Sequence, residues 1–263
     1  MRKFSLLAYG ISLLMLTACG GSLARVPLQQ TIALHRDVGP AGPPLSIGSF
    51  NLARGGLESL QYGSLSMEKG LRHAILVTFP GTAFRFAPAL TPAFLQSIKT
   101  LIIGVAAGST TPITPLSSQE QANLVNFVKG GGTAVLLADN DLQFQAASDS
   151  ILNPFGLSST GVVQGTATAT FLNLATDPIR KGIAGTAKQI DTSWPAWFSS
   201  IGTSTEVAQL AANGMPAASY FAAGALGSGS GAVVFFSDSS IMVDGLRTSN
   251  DRIALLNALA LSK

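Results

Sequence analysis

Apolar positions along this chain fall into short runs separated by glycine- and proline-rich turns, and the runs alternate between strand-like and helix-like spacing. Leu45 to Phe50 reads as a first strand, Asn51 to Gly56 as a turn, and Leu57 to Lys69 as a helix. Ala74 to Phe79 reads as a second strand, and Thr91-Pro92 opens a short helix through Ile98 with proline at its first position. Leu101 to Ala106 is a third strand, apolar on both faces as a strand inside a parallel sheet must be.

The next helix is the best specified. Ser117 and Glu120 have capping-box spacing, Leu124, Val125 and Val128 recur on one face, and Gly130 to Gly132 supply the stop. Thr133 to Ala138 is a fourth strand that runs into Asp139, Asn140 and Asp141. Asn153 to Pro216 is less regular and rich in Thr, Ala and Gly, which predicts a β-rich peripheral section or insertion. Ala217 to Ala222 and Ala232 to Ser237 flank the glycines between Gly224 and Gly231, the pattern of a hairpin. Asp238, Ser239 and Ser240 follow, and Asn250-Asp251 opens a last helix carrying Leu255, Leu256 and Leu259. Strands alternating with helices predict an α/β fold with a mostly parallel sheet flanked by helices, because parallel neighbours need crossover connections.

The amino-terminal residues have another pattern. Arg2 and Lys3 precede an apolar run from Phe4 to Leu16, and Leu16-Thr17-Ala18-Cys19-Gly20 follows. The run is too short for a bilayer core that needs roughly 20 residues, and it ends in small residues as a signal peptide does. It resembles the lipobox of bacterial lipoproteins. The resemblance implies that residues 1–18 are removed, that Cys19 carries the lipid, and that the protein reaches the membrane through it. Gly20, where aspartate would favour inner-membrane retention in such proteins, implies the outer membrane, facing the periplasm or the surface. Residues 19–44, with four prolines and several glycines, form a flexible tether, and 45–263 form the folded domain.

Composition narrows the partners. Without Arg2 and Lys3 the chain has 14 basic against 13 acidic residues, and no basic cluster remains to displace counterions from nucleic acid. Charged residues make up 11 % of the chain against roughly 25 % in ordinary domains, so Ser, Thr, Asn, Gln and Gly must cover the surface. Cys19 is the single cysteine, which leaves no intrachain disulfide, and the fold must rest on its core.

Leu116-Ser117 and Glu120, Phe127-Val128, Gly130 to Leu137, Gly229 to Asp238 and Asn250-Asp251 together resemble the type 1 glutamine amidotransferase-like superfamily. More narrowly they are similar to its non-catalytic branch in bacterial surface, gliding and transport-associated proteins. The likeness runs from Leu45 to Leu261 and implies a flavodoxin-like α/β domain. In the catalytic branch a cysteine sits on the strand-to-helix turn that here reads Asp139-Asn140-Asp141, and a histidine follows it. The histidines of this chain are His35, in the tether, and His73, so cysteine–histidine acyl transfer is excluded by inventory. There is no Gly-x-Ser-x-Gly elbow, and Gly130 to Gly132 lack the Lys-Ser or Lys-Thr of a phosphate loop.

Ligands of open α/β sheets bind at the carboxyl ends of the strands. The candidate turns are therefore Asn51 to Gly56, Gly108 to Thr111, Asp139 to Asp141 and Ser237 to Ser240. Within them Asn51, Arg54, Asn140 and Ser239 are candidate ligand-binding residues, Arg54 as an anion site or a solvated surface arginine. Asp139, Asp141 and Asp238 either converge on a hard cation or cap turns through backbone hydrogen bonds. Trp194 and Trp197, beside Pro195 and Phe198, either stack on a sugar or partner surface or pack in the core. These readings predict a lipid-anchored envelope domain that binds or scaffolds an envelope protein or glycan, with no cofactor and no catalysis. The alternative is an envelope hydrolase that holds a metal with the turn aspartates.

Overall fold

A computed structural model describes residues 41–55, 60, 69–106, 112–243 and 248–262. Every described residue belongs to one compact unit, which falls within Val38–Lys263. Cys19, the tether to residue 40, most of the Leu57–Lys69 segment and the Gly108–Thr111 turn lie outside the described residues.

The strands are β1 (Ser46–Phe50), β2 (Ala83–Ala87), β3 (Thr100–Gly104), β4 (Thr133–Leu137), β5 (Ser158–Thr160), β6 (Thr166–Phe171), β7 (Lys181–Gly182), β8 (Gly185–Thr186), β9 (Gln189–Ser193), β10 (Trp197–Ser200), β11 (Thr205–Leu210), β12 (Pro216–Phe221) and β13 (Val233–Phe236). The helices are α1 (Lys69–Thr78), α2 (Pro92–Gln96), α3 (Ser118–Lys129), α4 (Gln145–Leu152) and α5 (Ser249–Leu259). Nine strands form one sheet in the order β2-β1-β3-β4-β13-β12-β11-β6-β9. Pairs from β2 to β13 are parallel, and from β13 onward each pair is antiparallel. The fold is α/β, as the alternating pattern requires, with a mixed rather than wholly parallel sheet.

Side chains alternate across the central strands into two cores. Ile102, Val135, Leu137, Val234 and Phe236 meet Leu71 and Ile75 of α1 and Leu255 and Leu259 of α5 on one face. Leu101, Ile103, Leu136, Val233 and Phe235 meet Leu124 and Val128 of α3 and Ile151 of α4 on the other. The layers are thus helix, sheet, helix. Gly231 lets β13 start beside β4, because a Cβ there would overlap the backbone of Gly132 and Gly131.

The capping box is present as read: Ser117 accepts from the Glu120 amide, and Glu120 from the Ser117 amide. Thr91 likewise caps α2, with Pro92 at its first position. Two expectations are corrected. Ala74 to Thr78 is helix, with Phe79 directly after it, because the buried side chains are Leu71, Ile75 and Phe79, four residues apart, while Leu76 is exposed. The second strand is instead β2, whose Phe84 and Phe86 pack on the core with Arg72 over the Phe84 ring, 4.1 Å from its centroid. Nor is residues 153–216 a peripheral insertion alone, since β6, β9 and β11 extend the main sheet. Among the described residues β5 with β10, and β7 with β8, stand apart as two-stranded ribbons.

Candidate functional site

The parallel strands β1, β3, β4 and β13 end on one edge of the sheet, and two of them deliver three polar residues there. Asp139 follows β4, and Asp238 and Ser239 follow β13. All three are nearly inaccessible, at 7 %, 1 % and 1 % exposure. Ser239 Oγ donates to Asp139 Oδ2 at 2.5 Å and accepts from the Ala106 amide after β3 at 3.3 Å. Asp139 Oδ1 accepts from the amide and the side chain of Asn140 at 2.8 and 2.9 Å. Asp238 accepts the Ser240 amide at 2.8 Å, the Ser240 hydroxyl at 2.5 Å and the Ser193 amide at 2.7 Å.

Burial pushes the carboxyl of Asp238 up to about 7, and repulsion from Asp139 adds to it despite the donors around it. Asp139 is raised by burial too, against the hydrogen bonds of Ser239 and Asn140. These carboxylates spend their acceptor capacity on their own chain. They tie together the ends of β3, β4, β13 and β9.

Asp141, expected to converge with them, does not. Its carboxylate turns to the Gly161 amide at 2.5 Å and to Thr160 Oγ1 at 3.3 Å, holding the segment that follows β5. Among the described residues no three His, Cys, Asp or Glu side chains gather as a metal site. Asp139 and Asp238 match the turn-capping alternative, each accepting an amide of its own turn, whereas Asp141 accepts one from a segment 20 residues away.

Arg54 is neither a solvated surface arginine nor a free anion site. All five guanidinium donors are used, two on Glu120 and the others on the carbonyls of Pro88, Thr114 and Pro115, and its charge lies 4.6 Å above the Phe50 ring. Asn51, at the end of β1, differs: its amide binds the Ala87 carbonyl, while its side-chain oxygen is buried without a partner.

The two tryptophans part company. Trp197 is half-buried, with its ring seated on Gly161, where a Cβ would collide with it, and packed on the core. Core packing is therefore the reading that fits Trp197. Trp194 is 46 % exposed and has a φ of 56°, the left-handed region that large side chains avoid. Its amide donates to the Gly165 carbonyl at 2.7 Å, and its carbonyl accepts from Asn140 Nδ2 at 3.3 Å. Asn140 Oδ1 also accepts the amide of Leu142, whose side chain is 69 % exposed. Asn140 therefore anchors two loops that each carry an apolar side chain to the surface. Leu142 escaped the sequence reading; its only signal is an apolar residue directly after a run of three turn formers.

An α/β domain with a buried acidic hub at the carboxyl edge and an aromatic held outside it is the class these observations define. No protein-family model matches the chain, and no curated protein matches its sequence. Among solved structures it is similar to the mmIFT52 N-terminal domain, at 13 % identity and a TM-score of 0.57, over 75 % of this chain and 91 % of that one. It is also similar to part of the β-galactosidase of Bacillus circulans sp. alkalophilus, at 12 % identity and a TM-score of 0.51, over 84 % of this chain and 31 % of that one. The β-galactosidase of Rahnella sp. R3 matches at 11 % identity and a TM-score of 0.50, over 73 % of this chain and 26 % of that one. At such identities the likeness is one of fold.

Proposed function

We propose that this protein is a lipid-anchored domain of the bacterial cell envelope that binds or scaffolds an envelope protein or glycan without catalysing a reaction. Cys19 carries the lipid, and the outer membrane is its site. The contact surface is the rim at the carboxyl ends of the strands, with Trp194 and Leu142 as its apolar contacts. One observation carries this reading: the chain holds a tryptophan out to solvent in a strained backbone conformation, at a cost of about 1 kcal/mol or more. Exposed aromatics on anchored loops are typical binding contacts.

The absence of a cysteine–histidine pair and the internal hydrogen bonds of Asp139, Asp238 and Ser239 support a non-catalytic role. The hydrolase alternative loses its third carboxylate to Gly161. For the fold, the order β2-β1-β3-β4-β13 supports the flavodoxin-like, amidotransferase-like reading, since it repeats the 2-1-3-4-5 order of that class.

Glycine at position 194 separates binding from folding. Trp194→Gly removes the aromatic and the left-handed strain together, so its melting temperature should match or exceed that of the parent chain. Retention of envelope proteins or peptidoglycan by the full-length protein should drop severalfold. Equal retention, or a melting temperature lower by several degrees, would show that the ring serves packing and would overturn the rim as the contact surface. The anchor has its own readout: palmitate labelling in bacterial cells should vanish in Cys19→Ser.

A further inference from the structure

The opposite, amino-terminal edge of the parallel sheet holds a second feature. A cavity of about 700 Å³ opens between the segment joining β6 to β7, the end of β12, the start of β13 and the residues after α5. Ala222, Ala223, Ala232 and Ala260 line it, and these small side chains make the space. That volume falls within the range of roughly 300–1,000 Å³ usual for small-molecule sites.

Its polar lining is unusual for this chain. Asp177 is 8 % exposed. Its Oδ1 accepts the amides of Ile179 and Arg180 at 3.0 and 2.9 Å, while Oδ2 is buried with no hydrogen-bond partner. Buried carboxylate oxygens are rarely left so, because an unpaired charge in a low dielectric is costly. Tyr220 lies close enough that its phenol is pushed up, by burial first and then by the Asp177 charge. Arg180 and Lys181 stand on the same lining. The Arg180 charge lies near enough to Asp177 to oppose the rise that burial causes, yet among the described residues the ion pair is Arg54 with Glu120, so neither cation reaches a carboxylate at salt-bridge distance.

An unsatisfied anion, two unmatched cations and an apolar wall in one cavity are complementary to one kind of molecule. A plain amine would meet the repulsion of Arg180 and Lys181, and a plain carboxylate would leave Asp177 unmet. We propose that this cavity binds an apolar zwitterion of amino-acid to dipeptide size, its ammonium on Asp177, its carboxylate on Arg180 and Lys181, and its body along Leu174, Pro178 and Leu261. The charge-assisted bond to Asp177 supplies most of the recognition. The site is separate from the rim that carries Trp194, and neither depends on the other.

Calorimetry with the full-length protein tests this, using leucyl-leucine, its N-acetyl form and its amide. Leucyl-leucine should bind saturably, and removing either terminal charge should weaken binding by roughly tenfold or more. Asp177→Asn should weaken leucyl-leucine to a similar degree without lowering the melting temperature, since it removes an unpaired buried charge. Should that variant fail to fold, Lys181→Glu, at an exposed position, carries the same test by abolishing the preference for the free acid over the amide. Trp194→Gly should bind leucyl-leucine as the parent chain does, which keeps this outcome apart from that of the rim. No saturable binding of leucyl-leucine up to millimolar concentration, or equal binding of its acetylated form, would overturn the proposal.

Discussion

Alanine in place of Glu120 should lower the free energy of unfolding by about 3 kcal/mol, read from the midpoint of urea unfolding, because it strands a buried guanidinium. The Glu120 carboxylate does three tasks at once. It pairs in the fork geometry with Arg54 at 2.7 and 3.0 Å, accepts the Leu90 amide at 3.1 Å, and closes the capping box on Ser117 at 3.0 Å. Both side chains of the pair are 12 % exposed, so solvent screens it little. Burial alone would raise the Glu120 pKa, yet the donors from Arg54, Ser117 and Leu90 win and hold it at about 2. A depressed carboxylate stabilises the native state above its unfolded pKa of about 4.3 and stops doing so as pH falls toward 2. Glu120→Gln keeps the shape and loses the charge, so it should cost less than alanine. Arg54→Lys should also destabilise, since a lysine cannot reproduce the fork or reach five acceptors. A Glu120→Ala protein that unfolds within about 0.5 kcal/mol of the parent would reduce the pair to a surface contact.

The elements legible in the sequence are those whose signals are local. Ser117 and Glu120 announce α3, Thr91-Pro92 announces α2, and the uninterrupted apolar runs of β3 and β4 can only be strands buried on both faces. Ala74 to Phe79 misleads because its apolar residues are contiguous, so strand and helix readings fit equally; only the contact of Leu71, Ile75 and Phe79 with the core decides it. Nothing local tells that β6, β9 and β11 would join the main sheet, as their partners are set by antiparallel pairing over long separations.

At the candidate site the same division holds. Asp139 and Asp238 are legible as residues at strand ends, and their turn-capping role was one of the two readings. The contact of Arg54 with Glu120 spans 66 residues and leaves no mark in the order of the chain. The left-handed backbone of Trp194 is not legible either, since such positions are usually signalled by glycine or asparagine. Asp177 is more hidden still: its Asx turn is local, but nothing in the order of the chain tells that Oδ2 is buried without a partner.

Between about pH 5 and pH 8 the protein should become less stable as pH rises, by a few kcal/mol in all, and Asp238→Asn should remove most of that dependence. The sign follows from the direction of the shift. With Asp238 raised to about 7 by burial and by the neighbouring Asp139, the folded chain keeps a proton that the unfolded chain releases above about pH 4. Within that window the native state binds more protons, so each unit of pH costs up to about 1.4 kcal/mol, and the loss levels off above the folded pKa. Asp139, Asp177 and Asp251 are raised as well, each chiefly by burial, and act in the same direction. Glu120 opposes them only below its unfolded pKa. The stability maximum therefore belongs in mildly acidic conditions, where Glu120 is ionised and Asp238 is still protonated. An asparagine at position 238 keeps its oxygen for the Ser240 amide and turns its NH2 toward the Ser240 hydroxyl, which can accept, and the Ser193 amide keeps its bond to that same hydroxyl at 3.0 Å. At about pH 8 this variant should melt above the parent chain, and at about pH 5 the two should converge, because the parent aspartate is then neutral as well. A parent melting temperature that stays level or climbs from about pH 5 to pH 8, or an unchanged slope in Asp238→Asn, would mean that the buried pair is ionised in the folded state and held by its donors alone.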